Sequence, residues 1–249
     1  MARWLGLVCG LVVVSAAPVA ALDITACGQT VPVRGKARLV TDLICPPGAP
    51  AIVLGNKARL RLDGHTVSGG SRGIECAESC KIHGPGSLTG AQVGIFAQSA
   101  GRVKVKDVDV SGNSDFGIQV LTGDAGLAKL TALDVVASGN GSTGIVVNPY
   151  LRGRNITAND NGGEGVRTCL AVIKNLQANN NAGQGLVGCG AKLTASTLTG
   201  NDAAGAGIDV LTTGVPTLKG TSCGKSAALL HFENDGPVVG DTHGVCTND

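Results

Sequence analysis

The chain has 249 residues, a formal net charge of +2 at pH 7 and a charged fraction of 15 %. That balance excludes a global basic field for nucleic acid or for a membrane surface. With 39 Gly but one Trp, one Tyr and three Phe, the core must be filled by Val, Ile, Leu and Ala, in a narrow stack with many tight turns and few surface helices.

Residues 1–21 read as a secretory signal peptide. Arg3 supplies the positive start, Leu5 to Val14 a short apolar core, and Val19-Ala20-Ala21 the small residues before cleavage after Ala21. The apolar run is too short for a comfortable membrane span and nothing similar follows. The mature protein is therefore expected to be exported, secreted or periplasmic, with no transmembrane anchor and a net charge near +1 once Arg3 is gone from the +2.

Residues 22–50 read as an N-terminal cap, tied by Cys27 and Cys45. An open repeat needs such a cap, because its last turn exposes a bare strand edge. From residue 51 to 215 the chain repeats. One phrase ends in Asn113, Asn140, Asn161, Asn181 and Asn201, at steps of 27, 21, 20 and 20 residues. A small Gly-rich turn follows each Asn, then Gly and an aliphatic residue, as in Gly117-Ile118, Gly144-Ile145, Gly165-Val166, Gly185-Leu186 and Gly207-Ile208. A fixed period near 20 is the mark of a solenoid. Residues 216–249 lose the rhythm and read as a C-terminal cap with Cys223 and Cys246.

Eight cysteines remain after the leader: Cys27, Cys45, Cys76, Cys80, Cys169, Cys189, Cys223 and Cys246. In an exported chain an even count indicates disulfides. The spacing favours pairing in sequence order. Cys169 and Cys189 each lie four residues after a repeat Gly, and equivalent positions in adjacent turns stand roughly 4.8 Å apart, within the reach of a disulfide. A metal site is disfavoured, since no Cys-x-x-Cys pair is present.

Two solenoids fit the period. Val105-x-x-Val108-x-Val110-x-x-Asn113 matches the first half of a leucine-rich repeat. The Gly-rich segments after each Asn, such as Gly162-Gly163, oppose a helical return and lead into a second strand such as Gly117-Ile-Gln-Val120. The expected fold is all-β: a single right-handed parallel β-helix of about eight coils, roughly 40 Å long, with disulfide-tied N- and C-terminal caps.

Leu60-x-Leu62-Asp63-Gly64-His65-Thr66-Val67, the Asn-x-x-x-Gly-Ile phrase and the cysteine caps resemble the right-handed parallel β-helix proteins of the pectin-lyase-like superfamily. Within that group the chain is most similar to the short-coil, secreted or periplasmic NosD-like repeat proteins. The resemblance implies a fold rather than one activity, because the superfamily hosts lyases, hydrolases, adhesins and accessory proteins. NosD itself serves a copper site. Here the only Met is Met1, so thioether copper ligands are missing from the mature chain.

Three groups invite chemistry. The Asn column is expected to be structural, its amides bonding their own turns and their stacked neighbours. Asp63 and His65 occupy a turn, where the resemblance implies a recurrent structural phrase; His83, His231 and His243 show no metal-like spacing. Aligned on the Asn, Asp107 and Asp134 share one position, Asp109 lies two residues along the same strand face as Asp107, and Arg154 occupies the slot of Lys106 two coils on. Stacked carboxylates repel unless a cation sits between them. With a nearby Arg they loosely resemble the Ca²⁺ and base arrangement of pectate lyases, or they form a solvated outer face.

The leading expectation is a non-catalytic binding or envelope scaffold, without a metal or cofactor. Its partner would be a polysaccharide or an envelope component and not nucleic acid. The alternative is a Ca²⁺-dependent polysaccharide lyase, or another carbohydrate-active enzyme, working through Asp107, Asp109, Asp134 and Arg154. Few aromatic platforms survive in the mature chain, which argues against a long sugar cleft but leaves room for a short, charge-based one.

Overall fold

The computed structural model describes residues 20–98, 101–122, 128–233, 236–242 and 246, with side chains up to Ser226 and at Cys246. The leader lies outside the described residues except for Ala20 and Ala21, and so does His243. Among the described residues there is no helix, and hence none able to cross a membrane. A leucine-rich repeat with helical returns is thereby set aside. The chain winds as a right-handed parallel β-helix of about nine turns, about 43 Å long at the strand spacing.

Each turn contributes three short strands, so the solenoid has three flat faces. The first face runs from Gln29–Val31 through Pro50–Leu54, Arg72–Cys76, Val93–Ala97 and Phe116–Val120 to Val210–Thr212. The second runs from Lys36–Leu39 through Ala58–Arg61, Cys80–His83 and Arg102–Asp109 to Thr217–Lys219. The third runs from Leu43–Cys45 through Thr66–Gly69 and Ser87–Thr89 to Ser222–Cys223. Residues 29–45 already form a rung in ladder register with the next turn, which accounts for the ninth turn. The surplus residues of the 27-residue step fall between Val120 and Lys129, at the corner before the second face.

Alternation places every second side chain inside. Ile52, Ile74, Ile95, Ile118, Ile145, Val166, Leu186 and Val210 form one continuous buried column in paired register. Burying each such side chain is worth about 1.5–3 kcal/mol, and the column repeats on each face. The buried columns of the faces are built mainly of Val, Ile, Leu and Ala.

The Asn column lies inside, at the corner between third and first faces. Asn113, Asn140, Asn161, Asn181 and Asn201 are buried. Each of the first four donates its Nδ2 to Oδ1 of the next, at 3.2, 3.1, 2.9 and 2.8 Å, and its backbone N–H to the same oxygen at 3.0 Å. The ladder therefore satisfies backbone donors that no strand pairs. It also explains the following Gly. A Cβ on Gly144 would sit 2.6 Å from Ala137 O, 2.8 Å from Gly165 O and 2.9 Å from Asn161 Nδ2. Gly is required there for close approach, not for an unusual φ.

The last repeat departs from the expected alignment. Leu186 pairs with Val210, so Asp209 rather than Gly207 stands in the Gly position. Ser226–Glu233 then pairs in parallel with Val210–Thr212 and antiparallel with Gly236–Thr242, a hairpin that ends the parallel ladder. The disulfides join neighbours in sequence: Cys27–Cys45, Cys76–Cys80, Cys169–Cys189 and Cys223–Cys246, with Cα–Cα separations of 5.6, 6.0, 4.4 and 4.9 Å. Two of them brace the ends, and Cys169–Cys189 staples adjacent turns.

Candidate functional site

A second column marks the corner between second and third faces. Asp107, Asp134, Asn155, Asn175 and Ala195 all have φ between 51 and 59°, and Gly220 follows at 54°. Asp and Asn tolerate the left-handed region better than most side chains, so this column is acidic or amidic for backbone reasons. Asp134 Oδ1 accepts from Asn155 Nδ2 at 2.6 Å, and Asn155 Oδ1 accepts from Asn175 Nδ2 at 2.8 Å. The bend at Asp107 leaves Lys106 and Asp107 both exposed and turns Asp109 onto the third face, where it pairs with Ser87 and Val136. Arg154 lies on the second face beside Leu133 and Lys174. The structure thus keeps Asp107 and Asp134 in one column, at a bend, and places Asp109 and Arg154 on different faces. Among the described residues no three His, Cys, Asp or Glu side chains gather as a metal site.

The second face carries the charge. Its outward residues include Lys36, Arg38, Arg59, Arg61, Lys81, Arg102, Lys104, Lys106, Lys129, Arg152, Arg154, Lys174, Lys192 and Lys219, which are 14 of the chain's 20 Lys and Arg. They stand in columns: Lys36, Arg59, Lys81 and Lys104 in one, Arg38, Arg61, His83 and Lys106 in the next. Neighbours within a column are one strand spacing apart, about 4.8 Å. The face's only described carboxylate is Asp23, bound by Arg38 at 2.7 Å, while Asp63 at the corner is bound by Arg61 at 2.9 Å. The hydrogen bond from Arg38 holds the Asp23 carboxyl below its ordinary value. The other cations of the face make no ion pair among the described residues.

His83 reports the resulting field. Burial and the surrounding Lys104, Lys106, Lys81 and Arg61 together hold its pKa below the ordinary value for a histidine. Shallow grooves run along this face. One is lined by Lys36, Arg59, Arg61 and His83, another by Lys57, Arg59, Lys81 and Arg102. Towards the C-terminus the columns thin out into Thr131, Leu133, Leu170, Val172 and Thr194, and Leu170 is 46 % exposed. Among the described residues the one aromatic on the face is Tyr150, with Lys129 Nζ 4.9 Å from its ring centroid.

Elsewhere, His65 Nδ1 lies 3.1 Å from Asp42 Oδ1, which also accepts the Thr66 N–H at 2.9 Å. The Thr66 and His65 hydrogen bonds keep Asp42 below its ordinary pKa. Asp63, bound to Arg61, and His65, held by Asp42, brace the turn they occupy. Asp42 was not singled out from the sequence, nor was the basic face. The signal for the face was present: cations recur eleven, nine and seven residues before the ladder Asn, as in Arg102, Lys104 and Lys106 before Asn113.

Residues 77–222 match the family described as right handed beta helix region, and the chain belongs to that family. Among solved structures the chain is similar to a tailspike protein, Dettilon gp208 (TM-score 0.50, 13 % identity, 82 % of this chain and 54 % of that one). It is also similar to pectate lyase Pel9A (0.46, 13 %, 80 % and 61 %). A third is the Azotobacter vinelandii mannuronan C-5 epimerase AlgE4 A-module (0.43, 14 %, 80 % and 80 %). The chain spans less than two thirds of the tailspike and lyase chains. At these identities the similarity concerns the fold. No curated protein sequence matches significantly.

Proposed function

We propose that the protein is an exported, non-catalytic binding rod whose second face holds a linear anionic polysaccharide. The observation that carries the reading is the segregation of 14 of 20 cations onto one flat sheet face, with two face or corner carboxylates already paired. Unpaired cations at a repeating spacing of about 4.8 Å suit a flexible polymer with regularly spaced charges. The disulfides and the leader favour an oxidising compartment outside the cytoplasm, where such polymers occur. Among the described residues the face has one aromatic, Tyr150, which offers little for base stacking, and there is no helix to enter a nucleic-acid groove.

The test is calorimetric binding of the mature chain to dextran sulfate and to uncharged dextran of equal length. Binding to the sulfated polymer alone, weakening as salt is raised, is the expected result. Equal binding to both polymers, or none to either, overturns the reading.

A further inference from the structure

We propose that the polymer is gripped on four consecutive rungs of the second face, carrying Lys36 and Arg38, Arg59 and Arg61, Lys81 and His83, and Lys104 and Lys106, and that His83 makes the grip tighter in acid. This inference rests on the anionic-polysaccharide reading above. It adds a location and a control.

The location follows from the register. In these four rungs all eight outward positions of the two central columns are basic. From the rung of Lys129 onward, Thr131, Leu133, Val172 and Thr194 interrupt both columns. A polymer lying along the axis therefore meets a basic residue at every outward position of both columns only over the first four rungs, a span of about 14 Å, with Arg38 and Arg61 already paired to Asp23 and Asp63. The groove lined by Lys36, Arg59, Arg61 and His83 lies within that span.

The control follows from what surrounds His83. Arg61 precedes it and Lys106 follows it in its own column, while Lys81 and Lys104 flank it in the other. The nearby carboxylates are at the corner: Asp63, already bound to Arg61, and Asp107, next to Lys106. With its pKa held down by burial and by those four cations, free His83 is the neutral gap in the array at neutral pH. An anionic chain laid over it reverses the local field and favours its proton. Binding and protonation then promote each other. The sign is fixed. Binding raises the His83 pKa, so the added affinity is complete below the free-state pKa. It is absent above the bound-state pKa.

The test uses the mature chain and dextran sulfate, whose charge is constant between about pH 5 and about pH 8, the range in which His titrates. The expected result for wild type is binding about threefold or more tighter at the acid end, with net proton uptake. His83→Gln should show little acid gain relative to its own affinity at the alkaline end. Lys81→Gln with Lys104→Gln should lose about tenfold or more, whereas Lys174→Gln with Lys192→Gln should change affinity less than about threefold. Of the five positions Lys81, Lys174 and Lys192 are exposed and His83 and Lys104 half-buried, and thermal melts verify that the variants fold.

Equal losses from the two double variants overturn the location. A wild type indifferent to pH, or His83→Gln with the full acid gain, overturns the control while leaving the polysaccharide reading intact. Failure of dextran sulfate to bind at any pH overturns the reading itself. Tighter binding to duplex DNA at matched charge and salt overturns the polysaccharide assignment.

Discussion

Asn201 donates both its backbone N–H and its side-chain amide to Oδ1 of Asp209, at 3.1 and 2.7 Å. Asp209 Oδ2 accepts the backbone N–H groups of Gly224 and Lys225 at 2.7 and 3.2 Å. The Asn ladder thus ends on a buried carboxylate, fully supplied with donors, that locks the last regular turn to the segment before the final hairpin. A carboxylate suits the end of the row because it only accepts, and every group facing it donates.

Replacing Asp209 by Asn puts an NH₂ group against N–H donors at one of the two oxygens. We expect a loss of about 1–3 kcal/mol, the cost of leaving buried donors unsatisfied. Hydrogen exchange should rise first in residues 196–226. A uniform rise along the whole solenoid would contradict this.

Gly144→Ala should destabilise by about 1–3 kcal/mol through overpacking, since its Cβ meets two backbone carbonyls and a ladder amide. Gly139 has φ +62° and nothing within 4 Å of a Cβ. Gly139→Asn should therefore cost less, about 1 kcal/mol or below. Urea midpoints for the two variants check the order.

Asp134→Ala removes the acceptor for Asn155 and places Ala at φ 55°. The expected cost is about 1–2 kcal/mol. Asp107→Asn should be near neutral, because Asn tolerates φ 59°. Dextran sulfate binding should survive both changes. If the corner carboxylates instead hold Ca²⁺ for lyase chemistry, either variant or a chelator should abolish release of unsaturated products from an acidic polysaccharide.

Acid should destabilise the solenoid partly through Glu164. Burial works against its charge, but hydrogen bonds from Thr143 at 2.6 Å and from Arg167 outweigh that and lower its pKa below the ordinary value of 4.5. A lowered folded-state pKa adds stability that is fully present above the unfolded value and is lost as pH falls through the folded one. Melting temperatures measured from about pH 5 downward should fall less steeply in Glu164→Gln than in wild type.

Much of the architecture was legible before any coordinates. Period, Gly content and the scarcity of aromatics led to a parallel solenoid, and alignment on the Asn put Asp107 in register with Asp134 and Lys106 with Arg154. The Gly207-Ile208 phrase misled, because only strand pairing reveals that Asp209 takes the Gly position. The candidate site was less legible. Net charge conceals how charge is distributed, and a value of +2 coexists with a face of 14 cations because the carboxylates lie mostly on other faces and at corners.

The sequence by itself determined that the chain repeats, that its core is aliphatic, and that one Asn per turn recurs at a corner, since these are local and periodic properties. Only the tertiary structure decided which residues twenty apart become neighbours, where Asp109 and Arg154 part company, and that Lys36, Arg59, Lys81 and Lys104 form one row. The reason is that a left-handed residue at a corner leaves the period intact while redirecting the side chains beyond it to another face.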